Sequence, residues 1–152
     1  MAGGESPRKS LMELLTSQQV AVLATQQHGQ PHLSLMAFMV AADGLDLWFA
    51  TLRSTRKYAN MAANPRVTLL VDNRCGQEAD FQTVLVATAT GEVEEVTGSE
   101  RHRALQLYLA KHPSLTEFVG SPDCALMRLR VEKYYLVSKF QEVQEFLVSG
   151  NL

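Results

Sequence analysis

The chain has 152 residues, of which 46% are hydrophobic and 20% are charged, and its formal net charge is -2 at pH 7. This length predicts one domain, spanning residues 1–152, with a core of its own. Acidic residues outnumber basic ones. The composition therefore excludes the broad basic surface of a nucleic-acid binder, and any anion site must be local.

The remaining bulk features predict a cytoplasmic protein. Cys75 and Cys124 lie far apart and lack the paired spacing of a zinc site or a disulfide framework. We therefore expect reduced thiols. The start of the chain lacks the apolar segment of a secretory signal, and no run approaches the roughly 20 apolar residues of a membrane span. We expect no membrane partner.

The first part of the chain predicts a helix followed by three strands. Residues 1–9 are polar and contain two glycines and a proline, which predicts a flexible start. Apolar residues at near-helical spacing follow Ser6 and Pro7, a typical helix start. Turn signals at His28-Gly29 and Asp43-Gly44 separate apolar runs that predict strands over residues 20–25, 33–40 and 45–51.

Helices and strands alternate in the rest of the chain. Residues 54–63 have one apolar helical face, and Asn64-Pro65 follows as a helix terminator. Helical spacing also predicts a helix over residues 100–111, which Pro113 ends. Alternating or continuous apolar residues predict strands over residues 67–71, 81–96 and 125–137.

These elements predict an α+β fold that is mainly β. Short connections favour antiparallel neighbours, and the helices are too few to cross over between parallel strands. Closure into a barrel would remove the exposed edges of a small sheet. We therefore predict a six-stranded antiparallel β-barrel with flanking short helices.

The segment from Thr51 to Lys57 is the candidate binding site of the sequence. It runs from the end of a predicted strand into the start of a predicted helix. Arg53, Arg56 and Lys57 are cations at the positive end of a helix dipole, which costs ~0.3–1 kcal/mol each if they are exposed. A phosphate bound there would make the free-energy contribution of these cations favourable. It would accept hydrogen bonds from free backbone amides and from hydroxyl groups, while the cations neutralise its charge.

A second interpretation needs no ligand. Ser54 would then be only a helix N-cap, and the three cations would form a solvated face. The residue pattern by itself leaves both interpretations open, and it does not identify the ligand that would carry the phosphate.

Two strings resemble the signature of the pyridoxamine-5'-phosphate-oxidase-like split-barrel flavoproteins. They are Arg53-Ser54-Thr55-Arg56-Lys57-Tyr58-Ala59-Asn60-Met61, followed by Asn64-Pro65-Arg66-Val67, and Gly29-Gln30-Pro31-His32-Leu33-Ser34 before a strand. The order of elements agrees as well, over roughly residues 11–137. The resemblance implies a Greek-key, FMN-binding split barrel and a homodimer with flavin mononucleotide (FMN) at the subunit interface.

The resemblance also implies residue roles. The positions that match the family's phosphate-binding residues are Thr51, Ser54, Thr55, Arg56 and Lys57. Ser34, Leu35 and Met36 match the strand that runs beside the isoalloxazine ring, largely through its backbone. Gln82 resembles a family glutamine near the flavin. The resemblance identifies no catalytic side chain, which is compatible with a cofactor that supplies the reactivity.

The C-terminal tail, residues 139–152, departs from the founding enzyme. It lacks the arginine- and tryptophan-containing segment of true pyridoxamine-phosphate oxidases, which argues against oxidation of that vitamin. The ending resembles the relatives that include the haem-degrading branch. We therefore expect an FMN-dependent oxidoreductase acting on an unidentified small molecule. The alternatives are a haem-binding or haem-degrading protein, or a non-catalytic flavin module, and a deazaflavin could replace FMN.

The histidines, the catalytic motifs and the aromatic residues give weaker indications of function. His28, His32, His102 and His112 have no paired metal-ligand spacing, so we expect no metal site. The sequence shows no nucleophile elbow, Ser-His-Asp arrangement or close carboxylate pair. Trp48 and Phe140 could cover a ring, but aromatic residues on apolar strands are more often part of a core.

Overall fold

The fold begins with a helix whose N-terminus is capped by the residue that precedes it. In the computed structural model, which describes residues 6–139 and 142–147, α1 spans Pro7–Ser17. The Ser6 hydroxyl accepts a hydrogen bond from the Lys9 amide at 3.2 Å, and Pro7 occupies the first helical turn. The expected flexible start over residues 1–9 was therefore wrong for residues 7–9, since they are helical; residues 1–5 lie outside the described part.

The other elements follow in an order close to the prediction. They are β1 Val20–Gln27, β2 Gln30–Val40, β3 Asp46–Leu52, α2 Arg56–Ala63, β4 Arg66–Asp72, α3 Asp80–Thr83, β5 Leu85–Glu95, α4 Gly98–Lys111, a 3-10 turn Pro113–Leu115, α5 Thr116–Gly120, β6 Cys124–Ser138 and β7 Glu142–Leu147. Among the described residues, no helix is both long and apolar enough to cross a membrane.

The strands form an antiparallel barrel, as the sequence predicted. Their order is β3-β2-β1-β4-β5-β6-β7, and β3 also pairs with β6 from Asp46↔Arg130 to Leu52↔Cys124. This last pairing closes the first six strands into a barrel. The additional strand β7 pairs with β6 outside the closed ring. It lies in the segment that was expected to be a tail, so that part of the prediction was incomplete.

The barrel is split along one side of β2. This strand pairs with β1 from Gln30 to Ala37, but with β3 only from Phe38 to Val40. Within the described residues, the first half of β2 therefore has one strand neighbour and one open edge. The hairpin before it has His28 and Gly29 at φ 55° and 77°, the left-handed angles that a two-residue turn requires.

The predicted strand over residues 81–96 was wrong at its start. The Asp80 carboxylate accepts backbone N–H groups of Cys75, Gly76 and Gln77 at 2.8–3.2 Å, which closes the preceding loop and leads into α3. The strand begins only at Leu85. The expected alternation from there on is present: alanines, a glycine and a valine face inward, at Ala87, Ala89, Gly91 and Val93.

Two apolar layers hold the barrel together. One fills its interior and includes the fully buried Leu23, Phe49 and Leu69. The other lies outside, where α4 and α5 cover β3 and β6, and it includes Trp48 and Tyr108. β3 is buried on both faces because it belongs to both layers. Trp48 therefore belongs to the core, as expected, whereas Phe140 lies outside the described residues.

Candidate functional site

The corner between β3 and α2 is built around the hydroxyl of Thr55. Its Oγ1 donates to the Leu52 carbonyl oxygen at 2.8 Å and accepts a hydrogen bond from the Tyr58 amide at 3.3 Å. Thr55 is therefore the N-cap of α2. The interpretation that Ser54 is the N-cap was wrong. Ser54 is exposed and its hydroxyl bonds no described residue.

Thr51 supports this corner from behind. Its side chain is 1% exposed, and its hydroxyl oxygen lies 3.0 Å from that of Thr55. Because Thr55 donates its own proton to Leu52, the single Thr51 hydroxyl proton is directed to Thr55 Oγ1 or to the Leu52 carbonyl oxygen, which lies at 3.3 Å. Thr51 thus orients the capping residue and does not itself reach the surface.

A cleft lies beside the corner, between α2 and the β1–β2 hairpin. It encloses about 510 Å³. Three of the five residues predicted to bind phosphate line it, and these are Ser54, Thr55 and Arg56. The hairpin and α2 contribute the remaining lining residues, which are Gln27, His28, Gln30, His32, Ala59 and Asn60.

The cleft contains a cationic side chain and hydrogen-bond donors that no described residue satisfies. Arg56 is exposed and forms no ion pair within the described residues. The backbone amides of Arg56 and Lys57, at the start of α2, find no acceptor there either, since the cap hydroxyl is bonded to Tyr58. Free amides at a helix N-terminus carry partial positive charge and bind anions.

Lys57 is separate from these groups. It does not line the cleft, although it follows Arg56 directly. Burial lowers the pKa of its ammonium group, and it forms no ion pair within the described part of the chain. The structure therefore brings together only part of the predicted phosphate set.

Arg53 points to the other side of the corner. Its guanidinium forms an ion pair with Glu95 and donates to the Pro122 carbonyl at 2.9 Å. Tyr58 donates to the same carboxylate at 2.8 Å. Partial burial raises the pKa of Glu95, but the hydrogen bonds from Arg53 and Tyr58 outweigh it, so the net pKa is lowered. Arg53 is thus neither in the cleft nor part of a solvated face.

Ser34, Leu35 and Met36 lie on β2 beside its open edge. Met36 points into the barrel and Leu35 outward, with 7% and 66% of their surfaces exposed. The Ser34 hydroxyl oxygen is buried and has no hydrogen-bond partner among the described residues. In a two-residue hairpin the closing pair is hydrogen-bonded and the pattern then alternates. This places the backbone groups of Leu33 and Leu35 on the open edge, whereas those of Ser34 and Met36 face β1.

Within one chain, Gln82 lies far from the cleft. It is exposed on α3, which follows the end of β4. The pairing of Val22 with Leu70 and of Ala24 with Thr68 places that end of β4 beside the beginning of β1. The cleft lies at the end of β1, so Gln82 is at the opposite end of the sheet.

Sequence reasoning missed several residues that line the cleft. No binding role was predicted from the sequence for His28, His32 or Asn60. The Asn60 amide donates to the buried Thr25 hydroxyl at 3.0 Å, which ties α2 to β1. The segment from Gly29 to Ser34 was part of the family resemblance, but its position opposite α2 depends on tertiary packing. Among the described residues, no group of three or more His, Cys, Asp or Glu side chains could hold a metal ion.

The chain is similar to known proteins along most of its length. The family model described as Pyridoxamine 5'-phosphate oxidase matches residues 8–138. General stress protein 26 of Bacillus subtilis (strain 168) is 32% identical over 68 residues, 45% of this chain and 47% of that protein. The match thus spans about half the length of this curated relative.

Solved structures show the same fold. A haem-binding protein from Mycobacterium smegmatis superposes with a TM-score of 0.77 at 19% identity, over 86% of this chain and 53% of that chain. An FAD-binding protein from Mesorhizobium loti gives a TM-score of 0.66 at 19% identity, over 84% of this chain and 91% of that chain. With the family model covering nearly all of the described residues, this chain belongs to the pyridoxamine 5'-phosphate oxidase family.

Proposed function

We propose that this protein binds FMN and acts as an oxidoreductase on a small molecule, with the FMN phosphate in the cleft beside α2. The observation that carries the proposal is the set of unsatisfied donors there. Arg56 with its free amide and the exposed Ser54 hydroxyl line one cleft, and the free Lys57 amide follows in the same turn of α2. A phosphate monoester would satisfy them together.

The open edge of β2 supports placement of the flavin ring next to this phosphate site. The Leu33 and Leu35 backbone groups on that edge could bond the polar atoms of a ring. The unpartnered Ser34 hydroxyl is a second unsatisfied group on the same strand. A buried polar atom without a partner costs about 1–3 kcal/mol, so a polar ligand along β2 fits the residues present.

When bound, the flavin would supply the hydride or electron transfer. The protein would hold the phosphate through Arg56 and Ser54 and fix the ring plane with the rigid hairpin. Thr55 and Thr51 would keep the start of α2 in position. None of these roles needs a nucleophile or a general base.

The proposal includes a homodimer with the flavin at its interface. β1 and β2 carry an outer apolar face formed by Val20, Leu33 and Leu35, which are 49%, 66% and 66% exposed. Exposed apolar patches of this kind are typical of association surfaces. A second copy could bring its Gln82 to the cleft, since the same chain's Gln82 lies at the opposite end of the sheet.

Haem is the second candidate ligand, and a specific observation favours it. His28 and His32 both line the cleft, and a histidine is the usual axial ligand of haem iron. One of the structural neighbours is named as a haem-binding protein. In this case a porphyrin would lie against the hairpin, with a propionate near Arg56.

The absorbance spectrum of the freshly purified protein separates these candidates. We expect the bands of oxidised flavin, whereas a Soret band would support haem. Arg56→Ala should then weaken FMN binding by roughly 10- to 100-fold, because a hydrogen bond to a charged group contributes about 1.5–3 kcal/mol. Fluorescence titration of the flavin-free protein measures this affinity.

Arg103→Ala is the matched control, since Arg103 is exposed on α4 and does not line the cleft. It should leave FMN affinity unchanged. Equal FMN affinities of Arg56→Ala and the unmodified protein would contradict the proposed phosphate site. A yellow protein whose flavin accepts no electrons from NADH or NADPH would instead be a non-catalytic flavin module.

A further inference from the structure

A second cleft lies on the far side of the β3–α2 corner, between α4, α5 and the start of β6. It encloses about 440 Å³. Apolar side chains of Leu105, Leu109 and Val119 line it, and the guanidinium groups of Arg53 and Arg101 supply its charge. Clefts that are mainly apolar with a few polar groups are typical of small-molecule sites.

Arg101 is the cation in this cleft that forms no ion pair with a described carboxylate. Its Nη2 donates to the carbonyl oxygens of Val119 and Cys124, both at 3.4 Å. These are long bonds, and its Nε and Nη1 donate to no described residue. By contrast, Arg128 in the same layer is paired with two glutamates. Arg101 thus keeps strong donors available.

The charge of the cleft is close to that of a single cation. Glu95 forms an ion pair with Arg53 and also interacts electrostatically with Arg101, so two guanidinium groups and one carboxylate leave one positive charge in excess. Asp123 follows Pro122 in sequence and does not line the cleft. One excess positive charge matches a ligand that carries a single negative charge.

We propose that this cleft binds a small monocarboxylic acid with an apolar chain or ring. The carboxylate would accept two parallel hydrogen bonds from Arg101, the geometry that the planar guanidinium favours. The apolar part would lie against Leu105, Leu109 and Val119. This site is independent of the flavin proposal, because Arg56 and the phosphate cleft take no part in it.

The test uses sodium hexanoate as the probe and the purified protein with whatever cofactor it retains. In a 15N-resolved NMR titration we expect saturable shifts at the Arg101 Nε–H and at the amides of Leu105 and Val119. Hexanamide has the same apolar chain without the charge, and it should bind at least about tenfold more weakly. No saturable shift at millimolar hexanoate, or equal binding of hexanamide, would overturn the proposal.

Variants on α4 test the role of the guanidinium directly. Arg101→Gln should weaken hexanoate binding by at least about tenfold, whereas Arg103→Gln, on the exposed face of the same helix, should not change it. Undiminished binding by Arg101→Gln, or shifts confined to Ser54 and Arg56, would rule out this cleft. If Arg101→Gln fails to fold, the comparison of hexanoate with hexanamide on the unmodified protein decides the question.

Discussion

Ser54 and Thr55 are neighbouring hydroxyl residues with different tasks. The Thr55 side chain caps α2, donates to the Leu52 carbonyl and contacts the buried Thr51 hydroxyl. The Ser54 hydroxyl is exposed at the cleft and bonds no described residue. Local backbone geometry therefore makes one hydroxyl structural and leaves the other available to a ligand.

This difference predicts distinct effects on the stability of the flavin-free protein. Thr55→Ala should lower the free energy of unfolding by about 1 kcal/mol, because an N-cap is lost and the Thr51 hydroxyl loses a partner. Ser54→Ala should change it by less than about 0.5 kcal/mol. Urea denaturation measures both values. Equal losses in the two variants would show that the cap is not confined to Thr55.

At the scale of elements, the pairing of β5 with β6 depends on one glycine. The register shifts between Thr90 and Gly91, where β6 carries the extra residue Glu132. A Cβ atom at Gly91 would lie 1.9 Å from the Arg130 carbonyl oxygen. The two strands approach too closely at this point for any side chain, so the bulge and the glycine belong together.

Gly91→Ala should therefore destabilise the barrel by about 3 kcal/mol, since the clash is with backbone and cannot be relieved by a rotamer change. Gly120→Ala is the control, because a Cβ atom there meets nothing within 4 Å. It should leave stability unchanged or slightly raised. Chemical denaturation followed by circular dichroism makes the comparison, and a native-like midpoint for Gly91→Ala would contradict the predicted clash.

At the scale of the whole molecule, the open side of the barrel and the outer apolar face adjoin one another. The exposed Leu35 belongs to β2, whose open edge is the proposed position of the flavin ring. An interface that covers this face would also shield the ring from water. Dimerisation and flavin binding are then expected to depend on the same strand.

Leu35→Asp should convert the protein to a monomer and weaken FMN binding, because a charge would have to be desolvated at the interface. Leu107→Asp is the control, since Leu107 is a comparably exposed apolar residue on α4, outside this face. Size-exclusion chromatography with light scattering measures the mass. An unmodified protein that is monomeric at micromolar concentration would refute the dimer proposal.

Much of the fold was predictable from local patterns. Apolar runs, turn residues and helix terminators located six strands and the helices from α1 to α4, apart from the short α3, within a few residues. The exceptions have identifiable causes. The Asp80 carboxylate closes the preceding loop and begins α3, so the strand predicted from residue 81 starts only at Leu85. Strand β7 gains its position from pairing with β6 rather than from a pattern of its own.

The sequence by itself determined the family, the antiparallel barrel and the concentration of hydroxyl and cationic residues at the β3–α2 corner. These depend on residue types at short spacing, which local backbone preferences and hydrogen-bonding capacity constrain. Tertiary structure alone decided which cations share a cleft: Arg56 faces the hairpin, while Arg53 is drawn across the corner by Glu95. Glu95 is 42 residues away in sequence, and such long-range partners arise only when the barrel closes.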